Sequence, residues 1–293
     1  NARHEGITET VNDALTAIKN LSTVVINSRQ FNRLSAQIDN NLFQCPNVMD
    51  FDNPPQKDEE RVKKFRQDFS IGEKGLLFLA PVRPVHRKRL DRTIDLLVEL
   101  QKRTKQPITL MITHQAGDEE KTTDDQESLK QKDYLATILE YAQEQGISII
   151  YAASDIGPDK EFTLEDAYHA SDMVIYTPEW EGWGNALVES MYYKKPIVMT
   201  PHPIYNEDIK PKGVQTLEVN FVNDKIANMP IIDRIIDLTK PENAEEVERM
   251  VEENFAIGRK FFSFGILSDL LLLATKRLDI QKPIEAYKTL KNM

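Results

Sequence analysis

The sequence predicts an α/β fold, a Rossmann-like doubly wound parallel sheet preceded by a remnant of another domain. Three observations predict it. Short apolar runs recur at 76–80, 108–113, 147–151, 173–176, 197–200 and 216–219. Amphipathic stretches lie between them at 89–104, 129–144, 164–170, 186–193 and 204–209. Apolar strands, most followed by a helix, form a parallel sheet covered on both faces. The third observation is local: the run Met173–Tyr176 is broken by Thr177-Pro178, and Gly182-Trp183-Gly184 leads into a helical run from Ala186. A strand, a Gly-rich turn and a helix start aim free backbone N–H groups and the positive end of a helix dipole at one point. Doubly wound sheets bind ligands at the carboxyl ends of their strands, where this turn lies.

The first 50 residues follow a different pattern. A helix over 7–20, a strand over 23–27 and a helix over 29–39 lead to Cys45-Pro46-Asn47-Val48. Asn53-Pro54-Pro55-Gln56-Lys57-Asp58-Glu59-Glu60 then reads as a polar linker with a helix start. The expected division is 1–50 as the end of an N-terminal domain, 51–265 as the ligand-binding domain, and 266–293 as C-terminal helices. The chain opens on Asn1-Ala2 rather than Met, as expected of a piece cut from a longer protein.

Composition excludes several classes. The chain has 293 residues, 40% of them hydrophobic, and a net charge of −10. The acidic balance argues against a nucleic-acid partner. No apolar run approaches ~18 residues, so no membrane span is expected. The longest, 266–274, contains Asp269 and reads as a packed helix. Cys45 is the only cysteine, which excludes a disulfide framework and fits a reducing, cytoplasmic setting. The five histidines lack zinc spacing. The acidic stretch 117–127 reads as a solvated loop.

Two features carry chemistry. Glu181 sits at the mouth of the glycine turn and Glu189 more than one helical turn beyond it. Carboxylates cannot bind phosphate, but they accept hydrogen bonds from sugar hydroxyls. Elsewhere, Arg83, Arg87, Lys88 and Arg89 follow the strand 76–80 and concentrate positive charge at its carboxyl end.

The segment Glu181-Gly182-Trp183-Gly184-Asn185-Ala186-Leu187-Val188-Glu189 resembles the Glu-x7-Glu motif of retaining GT-B glycosyltransferases, family 4 type. Arg83 and Lys88 match that family's Arg-x4-Lys-Gly motif. The resemblance spans residues 23 to 273 and implies a GT-B C-terminal donor domain with part of the acceptor domain. It implies that Glu181 contacts the donor sugar, that Glu189 holds the ribose, and that Gly182, Trp183, Gly184 and Asn185 lie against sugar and diphosphate. Arg83 and Lys88 would neutralise the leaving diphosphate, with His86 between them near phosphate; fixed cations stabilise charge growing there. The turn Ala152–Ile156, with Ser154 and Ile156, would hold the base. Two positions depart from the motif and bear on loop shape rather than charge: Pro81-Val82 replaces a glycine before Arg83, and Arg89 replaces the glycine after Lys88. Cys45–Val48 resembles the family's domain crossing, and Asn254-Phe255 with 261–264 its returning tail. His114-Gln115-Ala116-Gly117-Asp118-Glu119, 166–172 and 204–213 resemble a bacterial subgroup that includes mannosylglucosylglycerate synthases.

The resemblance implies transfer of a hexosyl group, with retention, from a nucleotide-diphosphate sugar. The acceptor would be a sugar, a glycerate-type small molecule or a lipid-linked group. No cofactor and no metal are expected. Asp50-Phe51-Asp52 is a D-x-D string, but it lies in the domain crossing rather than after a nucleotide-binding strand. His114, Tyr168 and Asp172 read as structural, Cys45 as a buried small residue. Family members also use an N-domain histidine that has no match here, so the chain is expected to bind donor weakly and to be inactive alone. A GT-B-related phosphorylase or sugar-nucleotide epimerase, and a non-catalytic nucleotide-binding module, are the alternative classes.

Overall fold

The structure, a computed structural model, describes residues 23–36, 42–116 and 125–277, with backbone alone for 125–133 and 275–277. The helix expected over 7–20 and most of the acidic stretch 117–127 lie outside these residues.

A parallel pair comes first: β1 (Thr23–Val25), helix α1 (Ser28–Ser35) and β2 (Leu42–Gln44). Asn27 caps α1, accepting from the Gln30 N–H at 2.8 Å. After α2 (Glu59–Asp68, capped by Asp58) come β3 (Leu76–Ala80), α3 (Leu90–Gln101), β4 (Ile108–Ile112), α4 (Asp125–Glu144) and β5 (Ser148–Tyr151). Then follow α5 (Leu164–Ala170), β6 (Met173–Tyr176), α6 (Asn185–Tyr192), β7 (Ile197–Met199) and β8 (Leu217–Glu218). A hairpin, β9 (Phe221–Val222) and β10 (Lys225–Ile226), precedes α7 (Pro230–Leu238), α8 (Ala244–Phe261) and α9 (Phe264–Arg277).

The six-stranded sheet is wholly parallel, with strand order β5-β4-β3-β6-β7-β8. The chain winds outward from β3 to β5, returns to β6 beside β3, and winds outward again. The switch point therefore lies between β3 and β6. Every residue of β3, β6 and β7 is buried, the signature of strands covered on both faces. Helix α3 packs against α7, α2 against α5, and α6 against α8. The core joins Leu77, Phe78, Ile94, Leu97, Val174 and Leu187.

The segment Asp50-Phe51-Asp52 stitches the two parts together. Phe51 is 1% exposed and meets Tyr192 and Phe255 edge-on. Asp52 accepts from Arg259 Nε at 2.9 Å, and the Met49 N–H donates to the Phe262 carbonyl at 2.9 Å. Met49 and Ser263 form a parallel bridge at the seam where α9 leaves.

Several elements depart from expectation. The stretch 204–209 forms a π-helical turn, Tyr205–Ile209, because Pro203 and Pro211 bound it closely. Helix α3 begins at Leu90, since Arg89 takes a left-handed conformation. The elements β9, β10, α7 and α8 were not anticipated.

Candidate functional site

The loops after β3 and β6 flank the switch point. After Ala80, Val82 and Val85 tighten the chain through bonds to Ala80 and Arg83 carbonyls, and His86–Lys88 form a single 3₁₀ turn. This turn points its cations across the crevice. Arg87 Nη1 and Lys88 Nζ both donate to Glu181 Oε1. The backbones are tied too: the Glu179 N–H donates to the Arg87 carbonyl at 2.9 Å, and Thr177 Oγ1 to the Arg89 carbonyl at 3.1 Å. The Arg87 guanidinium stacks 5.2 Å over Trp180, and the Lys88 ammonium lies 5.1 Å over the Tyr176 ring.

The electrostatics follow from burial. Burial pushes the Glu181 carboxyl up, but Lys88 and Arg87 outweigh it and hold it below its ordinary value. Burial lowers Lys88, with Glu181 opposing. Arg83 is lowered by burial and by Arg87. Three cations thus surround one carboxylate, leaving positive charge in excess at the strand ends.

Gly184 closes the acidic turn and starts α6. Its φ is 101°, a region open to glycine, and a Cβ there would lie 3.2 Å from His202 Nε2 and 3.5 Å from the Tyr176 hydroxyl. No side chain caps α6; the Leu187 N–H donates to the Gly184 carbonyl at 3.0 Å, and the N–H groups of the first turn ahead of it lie beside the cations, where an anion is favoured. Glu189 lies farther along α6. Tyr168 Oη donates to its Oε2 at 2.6 Å. Burial pushes the carboxyl up, against the Tyr168 bond and Lys88. Glu189 also lines a cavity of about 550 Å³ with Asn185, Val188, Leu267 and the segment Cys45–Met49.

The other expected residues are placed as follows. Asn185 accepts at Oδ1 from Asn47 Nδ2, 2.6 Å away. Gly182 is held by Asn27 Nδ2, which donates to its carbonyl at 2.8 Å. Trp183 does not form an open cover: it is 3% exposed and packs edge-on against Phe262. His86 is exposed and lies tilted at 45° against Tyr134, with ring centroids 4.3 Å apart. Ser154 is exposed at the end of β5, and Ile156 is buried in the bridge to Phe162.

Three residues join the site that sequence reasoning left outside it. Arg87 was one of the basic run with no role assigned. His114, after the end of β4, is lowered chiefly by burial, with Arg83 and Lys88 adding to it. His202, after β7, is buried and lowered by burial to about 4. The available signal was position alone, since each follows a strand of the sheet.

Among the described residues, no group of three or more His, Cys, Asp or Glu is gathered to hold a metal ion. Among them, no helix is long and apolar enough to cross a membrane.

This fold is that of the GT-B glycosyltransferases. A family model for glycosyl transferases group 1 matches residues 61–254, and the chain belongs to that family. It is similar to mannosylglucosylglycerate synthase of Thermotoga maritima, 26% identical over 278 residues, covering 87% of this chain and 61% of that protein. It is also similar to the Petrotoga mobilis protein of the same name, 29% identical over 213 residues, covering 69% of this chain and 49% of the relative. The chain thus spans roughly half to three-fifths of these relatives' length. A solved glycosyltransferase from Rickettsia africae shares the fold, with a TM-score of 0.66 at 15% identity over 94% of this chain and 69% of that one. Anabaena HepE, solved with UDP and glucose, has a TM-score of 0.63 at 15% identity over 92% of this chain and 68% of its own.

Proposed function

We propose that this chain is the donor-binding half of a retaining hexosyltransferase that uses a nucleotide-diphosphate sugar in the cytoplasm. One observation carries the reading: Arg83, Arg87 and Lys88 converge with Glu181 at the switch point, beside the uncapped start of α6. The diphosphate lies between the cations and the α6 N–H groups. As the sugar–oxygen bond breaks, its electron pair passes to the diphosphate, and the cations stabilise that charge. Glu181, kept ionised, accepts hydrogen bonds from the sugar hydroxyls, and Glu189 holds the ribose. The acceptor hydroxyl attacks from the face the diphosphate leaves and passes its proton to the departing diphosphate oxygen, so configuration is retained.

Fixed side-chain cations supply the charge, so the reading requires no metal. The similarity to mannosylglucosylglycerate synthases supports a small glycerate-type acceptor over a lipid-linked one. Acceptor contacts belong mostly to a domain beyond this chain, and the chain alone transfers poorly.

The test is calorimetric titration of the chain with UDP, GDP and ADP, with and without EDTA. One nucleoside diphosphate should bind selectively, indifferent to EDTA, and lose affinity in Arg83→Ala. Robust transfer by this chain alone would contradict the division of labour. Binding of no nucleotide, by this chain or by a longer form with the preceding domain, would contradict the donor reading itself.

A further inference from the structure

The basic loop contains a conformational problem. Arg89 ends the 3₁₀ turn and opens α3 at φ 48°, ψ 53°, a left-handed conformation that suits glycine and disfavours a residue that carries a Cβ, such as arginine. The kink sets the direction in which Arg87 and Lys88 leave the helix. Without it, the two cations would not turn back across the crevice to Glu181. Something must hold Arg89 in that shape, and its side chain shows what. Its guanidinium bonds Asp91 through Nε and Nη2, at 3.0 Å and 2.7 Å. It also donates from Nη2 to Asp224 Oδ1 at 2.7 Å.

Asp224 is distant in sequence and rigidly presented. It and Asn223 form the two-residue tip of the β9–β10 hairpin, both left-handed, at φ 59° and 48°. Such a tip matches the twist of the strands it joins. The hairpin base is fixed to the end of β8: the Ala227 N–H donates to the Asn220 carbonyl at 2.8 Å, and Asn228 Nδ2 to the Glu218 carbonyl at 2.8 Å. The same Asp224 oxygen accepts from Arg92 Nη2 at 2.9 Å, and the Arg92 guanidinium stacks 5.3 Å over Phe221. Both arginines are largely buried, at 17% and 14% exposure. One carboxylate on a stiff hairpin therefore grips two arginines at the head of α3.

We propose that Asp224 is a positioning residue: through Arg89 and Arg92 it holds the loop after β3 in the shape that sets Arg87 and Lys88 on Glu181. Arg89 and Arg92 are on this account structural cations, neutralised by Asp91 and Asp224, and take no diphosphate charge. The consequence for donor binding rests on the function proposed above, whereas the positioning itself does not.

The test compares Asp224→Gly, Arg89→Gly and the double variant. Glycine at 224 keeps the left-handed tip while deleting the carboxylate. Glycine at 89 adopts the kink unaided. The ligand-free readout is amide hydrogen exchange across 83–90. Asp224→Gly should raise exchange there about tenfold with little change in global Tm, and Arg89→Gly should restore protection in the double variant. Binding of inorganic pyrophosphate should weaken about fivefold in Asp224→Gly and recover in the double variant. Unchanged exchange in Asp224→Gly, or equal loss with and without Arg89→Gly, overturns the proposal. Exchange that follows the expected pattern, when neither this chain nor a longer form with the preceding domain binds pyrophosphate, sustains the positioning role and sinks the donor reading.

Discussion

Lys88 donates to Glu181 Oε1 from the loop on the far side of the switch point, and Arg87 donates to the same oxygen. One carboxylate therefore pairs with two cations, and leaves one positive charge in excess, in a site where its own side chain is 9% exposed and that of Lys88 is 12%. Removing one partner of a buried pair leaves the other charge uncompensated, at a cost of roughly 3–5 kcal/mol. Glu181→Gln should therefore lose about 3 kcal/mol in urea unfolding, the lower end of that range because Arg87 keeps more solvent contact. An anion should substitute for the missing charge. Inorganic pyrophosphate is expected to raise the Tm of Glu181→Gln more than that of the native chain. Equal responses would show that Glu181 is not the group balancing these cations.

His202 sets a pH dependence. Burial is the main cause that lowers it from 6.5 to about 4; Lys88 adds to this and Glu181 opposes it. Below pH 6.5 the unfolded chain takes up a proton that the folded chain refuses, so stability falls as pH drops from 6.5 to about 4 and levels off below. At about 1.4 kcal/mol per pH unit, His202 contributes roughly 3 kcal/mol to that acid limb. His202→Asn keeps an acceptor for the Tyr205 N–H, which now bonds Nδ1 at 3.3 Å. The variant should show a visibly shallower acid limb in urea unfolding between pH 6.5 and 4, with an unchanged slope above pH 7. An unchanged acid limb would mean that His114 and His169, also lowered by burial, account for it instead.

Gly258 is a packing glycine. A Cβ on it would sit 2.4 Å from Phe51 Cζ and 2.5 Å from Cε1. Phe51 is itself wedged between Tyr192 and Phe255 and has nowhere to move. Gly258→Ala gains helix propensity of about 1 kcal/mol, yet overpacking costs about 1–3 kcal/mol, more in so rigid a pocket. A net loss near 2 kcal/mol is expected in urea unfolding. Phe51→Leu should relieve part of it, so that the double variant is less damaged than the sum of the singles. Additive losses would show that the clash is absorbed elsewhere.

Sequence reading reached the sheet because β3, β6 and β7 are buried on both faces and so are written as unbroken apolar runs. It reached the turn at Gly184 because a left-handed helix start needs glycine there. It missed the pairing of Arg87 with Glu181, since 94 residues separate them and only the return of the chain to β6 brings them together. It missed the π-helical turn because the apolar spacing of 204–209 does not encode how two prolines limit a helix. It missed the β9–β10 hairpin and its grip on Arg89: Arg89 was seen to stand where the motif has glycine, but that it keeps the left-handed conformation, and which carboxylate reaches it, shows only in the folded chain. Trp183 was expected to lie against sugar and diphosphate from its place in the turn, yet its neighbour Phe262 comes from a seam far along the chain.

The last prediction concerns Glu189. Its Oε2 is held by Tyr168 at 2.6 Å, while the carboxylate also lines the cavity beside Asn185. A carboxylate fixed on one side and open on the other accepts hydrogen bonds from paired hydroxyls, which a ribose offers at its 2′ and 3′ positions. A site built to bond a hydroxyl rejects the analogue that lacks it, because its own polar group is left unpaired. The native chain should therefore bind the preferred nucleoside diphosphate at least ~10-fold more tightly than its 2′,3′-dideoxy form, a difference of about 1.4 kcal/mol or more. Glu189→Ala should bind the two forms alike. Tyr168→Phe should narrow the preference without abolishing it, because the carboxylate remains but is no longer oriented. Calorimetric titration of both ligands against the three proteins reads all of this directly. A preference that survives in Glu189→Ala would move the ribose contact to another residue and leave Glu189 a role in packing alone.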